Sequence, residues 1–298
     1  MNILISGGTG FIGSRLRTML LMESHDVTVI TRDPDAWAGD RATNQRFISW
    51  KSDLTAEIER TDLVINLAGE TIFGKRWSPS VKWDIRNSRL DATGRLVDAM
   101  AAANRRPALF ISASAAGFYG DSGSRLLTES DPPGCDFMAL VCRDWEQEAL
   151  RAEELGVRVV IPRIGIALEK HGGMLKQLLL PFRLFVGGSI GNGEQVVPWI
   201  HMDDLCHALI HMIHQEEMAG PYNVNSPEPV RMKELAAALG RVLRRPSFMR
   251  LPGWALKLAL GEAATPAMSS LNLSPERLIE SGFQFEFEDL EEALADIL

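Results

Sequence analysis

Residues 3–13 read ILISGGTGFIG. Ile3 to Ser6 is a short apolar run closed by glycines, which predicts a buried strand. A helix is predicted from about Ile12 to Met22, with Ile12, Leu16, Met19 and Leu20 on one face. Between them Gly7, Gly10 and Gly13 form GxxGxxG, in the strand–loop–helix setting that this pattern requires. Each glycine has its own reason. Gly7 permits the tight turn, Gly10 lets the backbone approach a pyrophosphate, and Gly13 lets helix and strand pack closely. The helix N-terminus then offers unpaired N–H groups to the anion. Thr9, Phe11 and Ile12 fill the gaps of the pattern and are candidate cofactor contacts with the glycines. A plain strand–turn–helix junction is the alternative reading.

The next strand, Asp26 to Thr31 (DVTVIT), leads into Arg32, which lies 19 residues after Gly13. A site for NAD usually has an acidic residue here for the ribose 2′-hydroxyl; an arginine suits the 2′-phosphate of NADP. Asp33 competes, but Pro34 behind it marks it as the start of a turn. NADP is the expected cofactor, with a solvated surface arginine as the alternative. Further strands are expected at Arg46–Trp50, Asp62–Leu67, Ala108–Ala113 and Val157–Ile161, with helices over about Ser80–Ala103 and Phe137–Leu155. Strands alternating with helices at this spacing predict βαβ units and a parallel sheet. Past residue 170 the regularity breaks. Gly172-Gly173 and GGSIGNG (187–193) read as loops, Met232–Leu243 as an amphipathic helix, and the tail from Arg250 as a helix, a Ser274-Pro275 start and a final acidic helix from Glu288. The fold class is α/β, a Rossmann-like doubly wound parallel sheet with a smaller C-terminal lobe. The cofactor domain is expected over 1–170, completed by parts of 195–225, and the substrate lobe over 171–298, with a distinct segment at about 250–296.

The chain has 298 residues, 46% hydrophobic and 23% charged, and a net charge of −8. An acidic balance argues against a nucleic-acid partner. Cys135, Cys142 and Cys206 form neither a disulfide framework nor a metal knuckle, and they suit a reducing, cytoplasmic setting. No signal peptide is visible and no run of about 18 apolar residues would span a bilayer, so no membrane partner is expected. His207, His211 and His214 share a helix face with Asp203. Three ligands along one straight helix spread over about 10 Å, so no metal site is expected.

GGTGFIG, Arg32, LAGE (67–70) and SASAAGFYGD (112–121) together resemble the extended short-chain dehydrogenase/reductase superfamily, and most closely its divergent "epimerase family" branch, related to the NAD-dependent epimerase/dehydratase group. NLAGE (66–70), RDWE (143–146), LPFR (180–183), GGSIGNG and PWIH (198–201) support this, and the tail from about Leu251 resembles the small C-terminal domain of that branch. The resemblance implies a Rossmann-type domain that binds NADP. It carries adenosine-phosphate contacts onto Thr31 and Arg32, and strand-end contacts onto Leu67 and Ala68, beside Gly69. It carries further cofactor-lining positions onto Arg89, Ala167 and Asp84. The superfamily often pairs helices across a dimer, so a homodimer is the assembly it suggests.

In that superfamily a Tyr-x-x-x-Lys pair moves the proton and a serine on the fifth strand orients the substrate oxygen. Ser114 matches the serine, with a strand-end serine bonding local backbone as the alternative. The pair is missing. The chain has two tyrosines; Tyr119 has Gly123 four residues on, and Tyr222 has Ser226. Where the pair belongs stand Met138 or Ala139, and Cys142 or Arg143. Tyr119 is the candidate substitute donor, against a packed aromatic. Cys142 is a weaker candidate, Arg163 a candidate anion contact, and His201 structural or substrate-proximal. The expected function is an NADP-binding, epimerase-like oxidoreductase acting on an unidentified small molecule. The alternative is a non-catalytic NADPH-binding sensor or interaction protein.

Overall fold

Ile3 and Ile5 belong to one buried cluster and Leu4 to another, and the same split separates Leu63 and Ile65 from Val64, and Leu109 and Ile111 from Phe110. Side chains alternate along a strand, so a strand apolar at every position must be covered on both faces. These strands form the sheet of the computed structural model, which describes residues 1–37, 39 and 42–298. Its strands are β1 (Asn2–Ser6), β2 (Asp26–Thr31), β3 (Gln45–Ser49), β4 (Leu63–Asn66), β5 (Leu109–Ser112), β6 (Ser114–Ala115), β7 (Arg158–Ile164) and β8 (Gly220–Val224). The order is β8-β7-β5-β4-β1-β2-β3, and two-residue β6 runs on from β5 beside β7. Every pairing is parallel. The strand order reverses between β1 and β4, the point where open α/β sheets bind ligands.

Helices cover both faces. On one, Leu16 and Leu20 of α1 (Phe11–Met22) share a core with Leu205, Leu209 and Met212, on a helix spanning Met202–His214. On the other, Leu54 and Ile58 of α2 (Leu54–Glu59) meet Leu96, Val97 and Met100 of α3 (Pro79–Ala102) and Ala149 of α4 (Phe137–Leu150). A further core gathers Leu175, Leu179 and Phe182 of α5 (Gly173–Arg183) around Trp199, with Leu235 and Leu239 of the helix Met232–Leu243 and Leu290 and Leu294 of the last helix, Leu290–Ile297. We call Met202–His214 α6, Met232–Leu243 α7 and Gly253–Leu260 α8.

The structure is α/β and Rossmann-like, as the alternating pattern predicts. Its details depart in several places: Gly188–Ile190 is a strand where GGSIGNG predicts loop, and α4 ends at Leu150, short of the expected Leu155. Helix α2 is absent from the sequence reading, although Asp53 caps it by accepting from the Ala56 N–H at 3.1 Å. Helix α5 starts on Gly173, where a double glycine predicts loop; its apolar face is buried and tertiary packing overrides propensity. Strand β7 runs past Ile161 to Ile164 because β8 pairs along it as far as Val224.

Candidate functional site

Backbone geometry at the end of β1 sets the site. Gly7 has φ +75°, and a side chain there would strike the Leu67 carbonyl at 2.6 Å. A Cβ on Gly13 would lie 2.2 Å from the Gly7 oxygen. Gly10 donates to that oxygen at 2.9 Å and is the N-cap of α1, with no side chain capping the helix. The first N–H groups of α1 are thus left for a ligand.

The loop opens into a cleft of about 990 Å³ along the C-terminal edge of the sheet. Gly7, Thr9, Gly10, Phe11, Ile12 and Gly13 form its floor with Leu67, Ala68 and Gly69. Thr31 and Arg32 line one end with Trp50 and Arg95, and Arg89, Ser114 and Ala167 line the middle. Arg32 is exposed and makes no ion pair among the described residues. Asp33 is not in the lining; its Oδ1 accepts from the Ala36 N–H at 3.3 Å and starts a turn.

Beneath the floor runs a buried polar ladder. Ser6 donates to Asn66 Oδ1 at 2.6 Å, and Asn66 Nδ2 donates to Thr93 and Ser112. Trp145 Nε1 also donates to Thr93, at 2.9 Å. Arg89 lies above it, donating to the Glu70 and Ile85 carbonyls with its guanidinium 5.2 Å from the Trp145 ring. Burial pushes its pKa below the usual arginine value. The Phe11 ring reaches the start of α5: a Cβ on Gly172 would sit 2.2 Å from it.

Ser114 is buried at the cleft wall and donates to Glu146 Oε1 at 2.6 Å. Arg163 clamps the same carboxylate with two 2.9 Å hydrogen bonds. Both members of the pair are at most 7% exposed. Arg163 also donates to Tyr119 at 2.8 Å and to the Glu129 carbonyl, and Tyr119 donates to Asn223 Oδ1 at 2.6 Å. Asn223 is itself fixed by Glu129 Oε1 and the Ser274 carbonyl.

This network corrects several sequence expectations. Tyr119 is not a cleft residue: it is buried, its hydroxyl both accepts and donates within the network, and burial pushes its pKa up to about 12. It holds Arg163 outside the cleft lining. Arg163 is likewise committed inward and free for no anion. Asp84 is exposed on α3 and outside the lining. Met138, not Ala139, faces the cleft, which places Cys142 where the lysine would stand. Cys142 is buried and burial pushes its thiol up to about 12. His201 accepts from the Asp203 N–H and stacks 4.0 Å from Phe287, a structural role. The histidines of α6 diverge: His211 bonds Ser281, while His214 turns to the surface beside Glu23 and His25. Glu146 was missed, and only RDWE following the expected Tyr-x-x-x-Lys position signalled it. Trp50 and Arg95 were also missed, being distant in sequence from any motif.

Comparison with known proteins agrees with this geometry. Residues 3–225 match the NAD dependent epimerase/dehydratase family, and residues 251–297 match a domain of unknown function, DUF1731. Epimerase family protein SDR39U1 homolog, chloroplastic, of Arabidopsis thaliana is 38% identical over all of this chain and 87% of its own. Epimerase family protein YfhF of Bacillus subtilis is 34% identical over 100% of this chain and 98% of its own. The crystal structure of human epimerase family protein SDR39U1 (isoform 2) with NADPH superposes with a TM-score of 0.90 at 31% identity, covering 100% of this chain and 99% of that one. With its fold, its glycine loop and both matched regions, the chain belongs to the NAD dependent epimerase/dehydratase family.

Proposed function

We propose that the cleft binds NADP and that the chain is an epimerase-like oxidoreductase for a small molecule, working without a phenolic proton donor. The observation that carries this is a cleft at the strand-order reversal, floored by the capless end of α1 and ended by Arg32, which makes no ion pair among the described residues. The NADPH held by the human relative supports the same choice of cofactor. When bound, the nicotinamide supplies a hydride acceptor or donor. The chain's own residues do the rest. The glycine loop and α1 N–H groups hold the diphosphate, and Arg32 neutralises the 2′-phosphate. Ser114, its proton given to Glu146, which Arg163 positions, accepts from a substrate hydroxyl.

Phe73, Met138, Pro266 and Leu271 line the cleft together with the polar side chains of Thr71, Asp136, Thr265 and Ser269. A second reading, a protein that holds NADPH without turning it over, is favoured by one observation: Met138 and buried Cys142 occupy the positions of the usual acid–base pair. Oxidation of protein-bound NADPH by a panel of aldehydes and ketones, followed at the nicotinamide absorbance, separates the two. The oxidoreductase reading expects turnover with at least one carbonyl and its loss in Ser114→Ala. Absence of turnover across the panel, with NADPH bound, favours the second reading.

A further inference from the structure

One face of the C-terminal lobe combines apolar and basic side chains in a way that the cleft does not explain. Leu180 and Leu184 sit one helical turn apart at the end of α5, and Phe185 follows. The strand Gly188–Ile190 then pairs in parallel with Met249–Leu251, so Phe248 and Leu251 border the same surface, and Arg245 lies 4.3 Å over the Phe185 ring. Helix α8 continues it, with Trp254 and Leu258 four residues apart on one side. Leu256, on the same helix, packs into the lobe's core instead. The apolar residues of this face are between 43% and 77% exposed. An apolar patch of this extent marks an interaction site.

Its charge is as distinctive. In a chain of net charge −8, residues 173–190 and 241–260 contain no Asp or Glu. They contain Lys176, Arg183, Arg241, Arg244, Arg245, Arg250 and Lys257. Arg241 pairs with Glu291; Arg183, Arg244, Arg250 and Lys257 make no ion pair among the described residues. We propose that this face docks the protein on a membrane surface carrying anionic phospholipid. The apolar side chains enter the boundary between headgroups and acyl chains, Trp254 sits at headgroup level, and the unpaired cations meet lipid phosphates. A second copy fits poorly, because a two-fold contact through this face sets its cations against themselves. A nucleic acid has no use for the leucines.

No helix of the described residues is long and apolar enough to cross a membrane, so the docking is peripheral. The lack of a span, on which the expectation of no membrane partner rested, holds among the described residues, and peripheral docking needs none. The segments that build the face also wall the cleft, through Lys176 and Gln177 on α5 and Thr265 and Pro266 after α8. Docking therefore brings the cleft mouth beside the lipid.

The test is flotation of the full chain with vesicles of phosphatidylcholine alone, or with about one third phosphatidylglycerol. The protein is expected to float with the anionic vesicles, and at least about fivefold less with neutral ones or in high salt. Two variants probe the two halves of the face: Trp254→Ser with Leu258→Ser, and Arg250→Glu with Lys257→Glu. Each is expected to lower the bound fraction by more than about fivefold while leaving NADPH affinity and thermal unfolding unchanged. Failure to float with phosphatidylglycerol overturns the proposal. So does equal flotation on both vesicles, or flotation that neither variant reduces. A concentration-dependent dimer that the Trp254→Ser, Leu258→Ser variant abolishes, without flotation, assigns the face to a second copy instead.

Discussion

Glu146 carries three hydrogen bonds from two side chains, one from Ser114 and two from Arg163, in a setting closed to water. Such a pair contributes little over apolar residues of the same size, but breaking it strands a buried charge. Glu146→Gln is therefore expected to lower unfolding free energy by about 3–5 kcal/mol, read from urea denaturation. Replacing both partners, Glu146→Leu with Arg163→Met, is expected to cost less than Glu146→Gln alone. A single substitution as mild as the double would mean that the pair is not closed to solvent. At this scale the sequence was partly legible. The absence of Tyr-x-x-x-Lys is a matter of spacing and can be read off the chain. The fate of Tyr119 is not, because its hydroxyl is satisfied by Arg163 and Asn223, 44 and 104 residues away.

Among elements, the glycine loop was the most legible, because each glycine answers a local steric demand. Gly13→Ala tests it: the added methyl meets the Gly7 oxygen, so the loop must open where the cofactor phosphates sit. NADPH affinity is expected to fall more than about tenfold, the equivalent of one phosphate hydrogen bond, in a chain that still folds. Unchanged affinity would show that the loop does not hold the diphosphate. Helix α5 was illegible for the opposite reason. Gly172 and Gly173 obey a tertiary demand, the closeness of the Phe11 ring, that nothing local reveals. Helix α2 is six residues long, too short to show a period.

Across the whole molecule, the C-terminal segment reaches all the apolar clusters except the one under α2 and α3. The strand Asn272–Leu273 pairs with Leu126–Leu127, Leu278 and Phe283 enter the sheet's core, and Leu290 and Leu294 enter the second lobe's core. Asp204 of α6 accepts from the Glu286 and Phe287 N–H groups. A segment so distributed cannot unfold alone, so calorimetry is expected to show one cooperative transition; two separate transitions would contradict this. The measurement that tests the account most directly is a titration of the protein, and of Arg32→Ala, with NADPH and with NADH. NADPH is expected to bind more tightly than NADH. Arg32→Ala is expected to weaken NADPH roughly 10- to 100-fold, the worth of charged phosphate hydrogen bonds, and to leave NADH unchanged. Equal binding of the two nucleotides, unaffected by Arg32→Ala, would contradict it.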